Sequence, residues 1–194
     1  RSRKHSIEEL SKKIYGIIWE EQLQRGVAAE ISQALMEEVY TTPKPGLVDR
    51  EDTGAHTDMN CQTFQKSTEA IAEDLAAMFE AGYSWEADPK TLFPLLRERG
   101  KKTEEKMFVA TGGVNTHKGI IFTIGILAAA AGISLRNYGK IESEDVCRIS
   151  LEMTKKELEQ DLRKLKQSSG ITHGEKIYCH LGEKGVRGLA MSGY

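Results

Sequence analysis

The stretch that decides the fold runs from Gly119 to Ile133 and reads GIIFTIGILAAAAGI. Only Thr123 and Gly125 interrupt its apolar character. At about fifteen residues, the run falls short of the roughly 20 that span a bilayer. Because it is apolar all round, it predicts a helix buried at the centre of a protein.

Helical patterns extend upstream of this run. Ser6 and Glu9 form a capping-box pattern that opens a first helix. A second helix carries apolar residues from Ile31 to Val39, and it must stop near Tyr40 because two prolines follow.

Further helices are expected on both sides of the run. Thr57 or Asp58 is expected to cap a third helix that ends at Gly82. Asp88-Pro89 predicts another helix start. A helix beginning at Pro94 is expected to be interrupted at Gly100 before it resumes.

Downstream, Ser143 opens a long helix whose leucines recur at helical spacing. The chain carries no alternating run of β-branched residues. The sequence therefore predicts an all-α fold, with residues 1–194 forming a single compact multi-helix domain. We expect a buried central apolar helix, and we expect the chemistry to lie in the interhelical loops.

Composition excludes several classes of protein. The 194 residues are 39% hydrophobic and 29% charged, which is a soluble globular composition. The 27 Lys and Arg nearly balance the 29 Asp and Glu, so a nucleic-acid coat protein is disfavoured. The three cysteines fit neither a disulfide framework nor a zinc site. No secretory signal appears, and we expect a cytoplasmic protein with no nucleic-acid or membrane partner.

The loop from Pro43 to Asp58 is the first candidate site. Two prolines restrict its backbone, and it concentrates acidic residues around His56. Carboxylates held on a rigid loop suit Mg²⁺, which prefers oxygen ligands and shares them with substrate phosphates. The alternative is a solvated, charged surface loop. The acidic residues are Asp49, Glu51, Asp52 and Asp58.

The second candidate lies directly before the apolar run. Gly112-Gly113 would let the backbone approach a ligand, and Lys118 stands where the next helix begins. Exposed N–H groups at a helix start beside a cation form an anion site. The spacing is not that of a P-loop. The alternative is a tight turn in which Asn115 or Thr116 only caps the helix.

The third candidate combines a short helix start with the glycine-rich tail. Thr172 and Glu175 form a capping-box pattern, which leaves His173 unexplained. Arg187 stands between glycines and is a candidate phosphate ligand. A surface cation on a flexible tail is the alternative for Arg187.

Four blocks of this sequence together resemble the triphosphoribosyl-dephospho-coenzyme A synthases. They occur in order and are spread over most of the chain. The blocks are Thr42-Pro43-Lys44-Pro45-Gly46-Leu47-Val48-Asp49, Gly54-Ala55-His56-x-Asp58-Met59, Ala110-Thr111-Gly112-Gly113-Val114-Asn115-Thr116-His117-Lys118-Gly119 and Thr172-His173-Gly174-Glu175.

The resemblance implies an all-helical enzyme whose substrates are ATP and 3′-dephospho-coenzyme A. In that reaction the 2′-hydroxyl of dephospho-CoA displaces adenine from the ribose C1 of ATP. The product is the precursor of the prosthetic group on the acyl carrier subunit of citrate lyase. A related enzyme serves malonate decarboxylase, and the sequence does not choose between the two pathways.

The chemistry suggests roles for the matching positions. Asp49 and Asp58 are assigned to Mg²⁺ or to an oxocarbenium-like centre. His56 or His117 is assigned as general base or acid. The remaining predicted substrate- and phosphate-binding residues are Lys44, Gly112, Gly113, Asn115, Lys118, His173, Glu175 and Arg187.

Two departures from the family pattern stand out. We expect this chain to lack a C-terminal portion of the family's length, so its glycine-rich tail would begin a loop. Leu189 occurs where an acidic residue is expected.

Three alternative functions stay open. They are a Mg²⁺-dependent nucleotide hydrolase, a non-catalytic nucleotide- or CoA-binding module, and a helical scaffold without nucleotide binding. A homo-oligomer is possible.

Overall fold

The computed structural model describes residues 2–165 and 173–194. Within these ranges the chain forms seven α-helices and one short 3₁₀ helix, and no strand occurs there, which confirms the predicted all-α class. The helices are α1 (Ser2–Tyr40), α2 (Cys61–Tyr83), the 3₁₀ helix (Pro89–Thr91), α3 (Phe93–Thr111), α4 (Lys118–Tyr138), α5 (Ser143–Leu165), α6 (His173–Leu181) and α7 (Gly185–Ser192).

Helix α1 is one continuous helix, and the prediction of two separate helices is wrong. It begins at Ser2, before the predicted cap at Ser6. Gly26 is the only strong helix breaker between the two predicted segments, and a single helical glycine lowers stability without ending the helix. The end at Tyr40 agrees with the sequence pattern.

Helix α2 begins later than predicted. Its N-cap is Asn60, whose side chain accepts from the Thr63 backbone N–H at 3.0 Å while the Thr63 hydroxyl accepts from the Asn60 backbone at 3.2 Å. Thr57 and Asp58 therefore belong to the preceding loop. A complete capping box satisfies two otherwise unpaired backbone donors, which explains why the helix begins after Asn60.

Helix α3 corrects a second expectation, because it runs through Gly100 without interruption. The predicted start at Asp88-Pro89 is confirmed by the 3₁₀ helix, where the Asp88 carboxylate accepts from the Lys90 N–H. Helix α3 then follows from Phe93.

Helix α4 packs against α2 most extensively, and also against α3, α5 and α7. Nine of its residues are buried and the others are partly or fully exposed, so it is not buried all round. At 21 residues it is long and apolar enough to cross a membrane by length and composition alone. The core helix of a soluble protein meets the same test.

Two glycines let α2 and α4 approach at backbone distance. A Cβ on Gly82 would overlap the carbonyl of Ala129, and a Cβ on Gly132 would overlap the carbonyl of Phe79. Gly82 is thus a packing residue inside α2, and the helix continues to Tyr83. This close crossing fixes where α4 begins relative to α2.

In the glycine-rich tail, Gly185–Ser192 form helix α7 rather than the start of a loop. Helix α7 packs against α5 and α4, with Ala190 fully buried. Gly193 ends α7 in the left-handed conformation, at φ 88°. Helix α5 begins at Ser143 as predicted. Its predicted stop at residues 168–170 lies outside the described residues.

Candidate active site

The loop between α1 and α2 is organised by the carboxylate of Asp49. Oδ1 accepts from the backbone N–H groups of Glu51, at 2.8 Å, and Asp52, at 3.0 Å. Oδ2 accepts from the Thr42 hydroxyl at 2.8 Å and from the Lys44 N–H at 3.0 Å. Asp49 is 4% exposed, so the loop folds around this carboxylate.

These hydrogen bonds also determine the charge of Asp49. The backbone donors at Asp52, Glu51 and Lys44, followed by the Thr42 hydroxyl, hold the pKa of Asp49 far below its usual range. Each donor stabilises the ionised form. Asp49 is therefore a charged group inside the loop between α1 and α2. All four groups that donate hydrogen bonds to its carboxylate belong to that loop.

Lys44 connects this loop to the end of α1. Its ammonium donates to the backbone carbonyl of Glu38 at 2.8 Å and to the Glu38 carboxylate at 3.0 Å. The Lys44 side chain is only 14% exposed. In this conformation the Lys44 ammonium forms an ion pair with the Glu38 carboxylate.

His56 and Asp58 lie on the outer part of the same loop. The Nδ1 atom of His56 is 3.9 Å from Oδ1 of Asp58, and both side chains remain accessible to solvent. Gly54 precedes them at φ 58°, and a Cβ there would lie 2.5 Å from the Leu47 backbone N. A glycine is needed for the loop to fold back on itself and present this pair.

His117 is the N-cap residue of α4. It is 3% exposed and its Nδ1 lies 2.7 Å from the Ser67 hydroxyl. Thr116 donates to that hydroxyl, also at 2.7 Å. With Thr116 as its donor, Ser67 is able to donate its own proton to Nδ1, an arrangement that would place the ring proton on Nε2.

Burial keeps the His117 imidazole neutral. Desolvation lowers its pKa to about 4, against an opposing influence from Glu38. The ring also packs edge-on against Phe64, with centroids 5.0 Å apart. Ser67 is the residue that sequence reasoning missed here, and a small polar residue among the buried positions of α2 is the signal that could have identified it.

The Gly112-Gly113 pair ends α3, as the turn alternative predicts. Gly112 is left-handed at φ 67°, and the Gly113 N–H donates to the Phe108 carbonyl at 2.7 Å. This is the Schellman arrangement, for which glycine is the usual residue. Asn115 Oδ1 accepts from the Lys118 N–H at 3.3 Å, so Asn115 caps the start of α4.

Lys118 and Arg187 are brought together by the fold although they are 69 positions apart in sequence (187 minus 118). Both line a cavity of about 420 Å³ bounded by α2, α3, α4, α5 and α7. The Lys118 ammonium pairs with the Glu104 carboxylate at 2.9 Å. Arg97 and Lys101 of α3, which sequence reasoning did not select, line the same cavity.

The predicted magnesium ligand Asp49 is occupied by hydrogen bonds in this conformation. Asp49 spends both carboxylate oxygens on hydrogen bonds within the loop. Within residues 2–165 and 173–194, no group of three or more His, Cys, Asp or Glu side chains is arranged to hold a metal ion. The assignment of Asp49 and Asp58 to Mg²⁺ stays a prediction.

The third predicted site is only partly described. Helix α6 begins at His173, but Thr172 lies outside the described residues, as do the side chains of His173 and Glu175. The predictions for His173 and Glu175 remain predictions.

Comparison with known proteins assigns the chain to a family. A family model described as "CitG: ATP:dephospho-CoA triphosphoribosyl transferase" matches residues 24–194. A protein of Streptococcus pyogenes serotype M3 (strain MGAS315), named "Probable 2-(5''-triphosphoribosyl)-3'-dephosphocoenzyme-A synthase", is 39% identical over 187 residues. Proteins of the same name from serotypes M1 and M2 are 39% and 38% identical over the same length.

These alignments cover 89% of this chain and 64% of the relative, so the chain spans about 64% of the length of the relatives. No solved structure matches the chain. The first two sequence blocks lie in the loop between α1 and α2, the third spans the end of α3 and the start of α4, and the fourth includes the start of α6. On the strength of the family model, which covers most of the chain, the protein belongs to the CitG family of ATP:dephospho-CoA triphosphoribosyl transferases.

Proposed function

We propose that this chain catalyses the transfer of the triphosphoribosyl group of ATP to the 2′-hydroxyl of 3′-dephospho-CoA. The observation that carries the proposal is the family match over residues 24–194, which includes the loop held by Asp49 and the start of α4. The product would be the precursor of an acyl carrier prosthetic group of the citrate lyase type.

The reaction breaks one bond and forms one. The ribose C1–N9 bond of ATP breaks, and its electron pair leaves with adenine. The 2′-oxygen of dephospho-CoA bonds to C1, its proton passes to a base, and adenine gains a proton. Because C1 acquires oxocarbenium character, a carboxylate nearby lowers the barrier. The triphosphate stays intact and, as the magnesium complex of ATP, brings its own metal ion.

We assign the acid–base work to His56, with Asp58 as its partner. These two side chains are accessible and 3.9 Å apart, so one reorientation within the loop would bring them into hydrogen-bond contact. A catalytic base must reach the proton that it accepts. Asp58 then serves either to orient His56 or to stabilise charge at C1.

We assign Asp49 and His117 as positioning residues. Asp49 accepts four hydrogen bonds from its own loop and so fixes the segment that carries His56. His117 has a pKa of about 4 and is buried against α2. A group with that pKa is a weak base at neutral pH. His117 instead holds the start of α4 against Ser67 of α2.

The activity is tested by incubating the folded protein with Mg²⁺ and ATP, with or without dephospho-CoA. Adenine is quantified by chromatography and the product by mass spectrometry. We expect adenine release that requires dephospho-CoA, with a product equal in mass to the two substrates less adenine. Release without dephospho-CoA would instead indicate a hydrolase. Binding of both nucleotides without adenine release would overturn the proposal in favour of a non-catalytic module.

Two pairs of variants separate the proposed roles. His56→Gln and Asp58→Asn are expected to lower kcat at least 100-fold with little change in Tm, because both side chains are accessible. Asp49→Asn and His117→Gln are expected to lower Tm together with activity. Wild-type kcat in both His56→Gln and Asp58→Asn would refute the acid–base assignment.

A further inference from the structure

Gly100 occupies the interior of α3 with no packing reason to be glycine. It lies between Phe93 and Thr111, and α3 is helical on both sides of it. A Cβ built on Gly100 would meet nothing within 4 Å, whereas one on Gly82 would overlap a neighbouring backbone. Glycine in a helix interior is less stable than alanine. Helix packing therefore explains Gly82 but does not explain Gly100.

The open side of Gly100 faces the 420 Å³ cavity. Arg97, Gly100, Lys101 and Glu104 all line that cavity and follow one another at i, i+3, i+4 and i+7 on α3. Residues at these spacings share one face of a helix. Gly100 therefore leaves a gap in this charged face of α3, between the side chains of Arg97 and Glu104, which also line the cavity.

Helices α4, α5 and α7 supply the opposite walls of the cavity. Lys118 and Arg187 add two more cations, and Asp161 adds an acid. The cavity therefore has four cationic and two acidic side chains around it. The apolar part of the lining is formed by Met78, Phe93, Leu96, Ile121, Phe122, Ile126 and Leu158.

The acids hold two of these cations in defined positions. Arg97 donates to both oxygens of Asp161, at 2.6 and 3.4 Å. Lys118 pairs with Glu104 at 2.9 Å. A guanidinium already held in place loses less conformational freedom when it binds an anion. Lys101 pairs with Glu98 at 2.7 Å, an acid of α3 that does not line the cavity. Among the residues that line the cavity, cations outnumber acids by four to two.

We infer that this cavity binds the phosphate chain of a nucleotide, with Gly100 providing room for the phosphates to approach the backbone of α3. The inference rests on the proposed function for the identity of the nucleotide. It extends that function by adding Arg97, Lys101 and Gly100 to the binding residues. The apolar lining suits the organic group attached to the phosphates, a feature that ATP and dephospho-CoA share.

The test measures binding directly by isothermal titration calorimetry with tripolyphosphate, ATP and dephospho-CoA. Gly100→Ala is compared with Gly26→Ala, since a Cβ on Gly26, in the interior of α1, also meets nothing within 4 Å. Both variants should raise Tm through helix propensity. Only Gly100→Ala should weaken binding, by at least fivefold.

A second pair of variants tests the charges. Lys101→Gln removes a cation of the cavity, and Lys106→Gln removes one on the same helix that pairs with Asp74 at 2.7 Å and does not line the cavity. We expect Lys101→Gln to weaken binding of tripolyphosphate at least fivefold and Lys106→Gln to leave it unchanged. If ATP or dephospho-CoA loses affinity for Lys101→Gln together with tripolyphosphate, that nucleotide is the one whose phosphates occupy the cavity.

The outcomes separate this inference from the proposed function. Adenine release with unchanged affinities for all three ligands in Gly100→Ala and Lys101→Gln would overturn the cavity assignment alone. Tripolyphosphate binding that depends on Lys101, without adenine release, would support the cavity and overturn the transferase proposal. Failure of the wild-type protein to bind tripolyphosphate would overturn the cavity assignment whatever its activity.

Discussion

Protonation of His117 should destabilise the folded chain in a defined pH range. His117 is buried at the start of α4, and burial lowers its pKa to about 4. In the unfolded chain the value returns to about 6.5. Between these values the unfolded state binds more protons than the folded state. The free energy of unfolding must therefore fall as the pH falls from 6.5 towards 4, and it is fully retained above 6.5.

The size of this effect follows from the two pKa values. Each pH unit between them contributes about 1.4 kcal/mol, so the His117 contribution lost by pH 4 is about 3 kcal/mol. That is a large part of the 5–15 kcal/mol that typically separates folded and unfolded states. It should be measurable in urea unfolding followed by circular dichroism at pH 7, 6, 5 and 4.

His117→Gln provides the comparison. The variant loses the titrating group but keeps a side chain able to accept a hydrogen bond from Ser67, and all carboxylates are common to both proteins. We expect the wild type to lose about 3 kcal/mol more than His117→Gln between pH 7 and pH 4. Parallel curves for the two proteins would refute the argument that burial keeps His117 neutral.

Three further predictions concern the stability of the fold and the order of the loop. Ser67→Ala should cost about 1–3 kcal/mol, because it removes the buried partner of His117 and Thr116; Thr68→Val should be neutral or stabilising, since the buried Thr68 hydroxyl has no hydrogen-bond partner within the described residues. Equal losses in urea unfolding of both variants would contradict this reasoning. Gly82→Ala should lower the free energy of unfolding by about 1–3 kcal/mol or more, because its methyl group would meet the backbone of α4; a rise in Tm would show that the helices can separate at no cost. Asp49→Asn should speed limited proteolysis within the loop from Pro43 to Asp58, whereas Glu51→Gln should not, because the Glu51 side chain is exposed; equal cleavage rates would refute the role of Asp49 in ordering the loop.

Local signals explain what could be predicted from the sequence. The prolines after Tyr40, Asp88-Pro89 and Gly112-Gly113 each act within a few residues, and each occurs at a helix boundary in the structure. The same reasoning failed at Gly100, where a lone glycine was too weak to break a helix. Helix propensity therefore predicted the all-α class better than it predicted how the helices are divided.

Contacts between distant parts of the chain explain what could not be predicted. Ser67 and His117 are 50 positions apart, and nothing in either local sequence pairs them. Arg97 and Lys101 follow the pattern of a solvated helix face until α4 and α7 close the cavity beside them. The sequence shows that Asp49 is an acid in a loop, but it does not show the four donors that surround its carboxylate.

The first turn of α4 connects the two halves of the proposed site. His117 and Lys118 are consecutive, but their side chains contact different helices. His117 is buried against Ser67 of α2, whereas Lys118 reaches Glu104 of α3 and lines the cavity. ATP also has two parts with different roles in the proposed reaction. The bond between its ribose and adenine breaks, whereas its triphosphate is bound but not cleaved. A helix start that is buried against α2 on one side and lines the cavity on the other can fix the cavity relative to α2. Because Gly82 and Gly132 fix α4 against α2, a substitution at either glycine should impair both adenine release and phosphate binding, whereas Lys101→Gln should impair phosphate binding first.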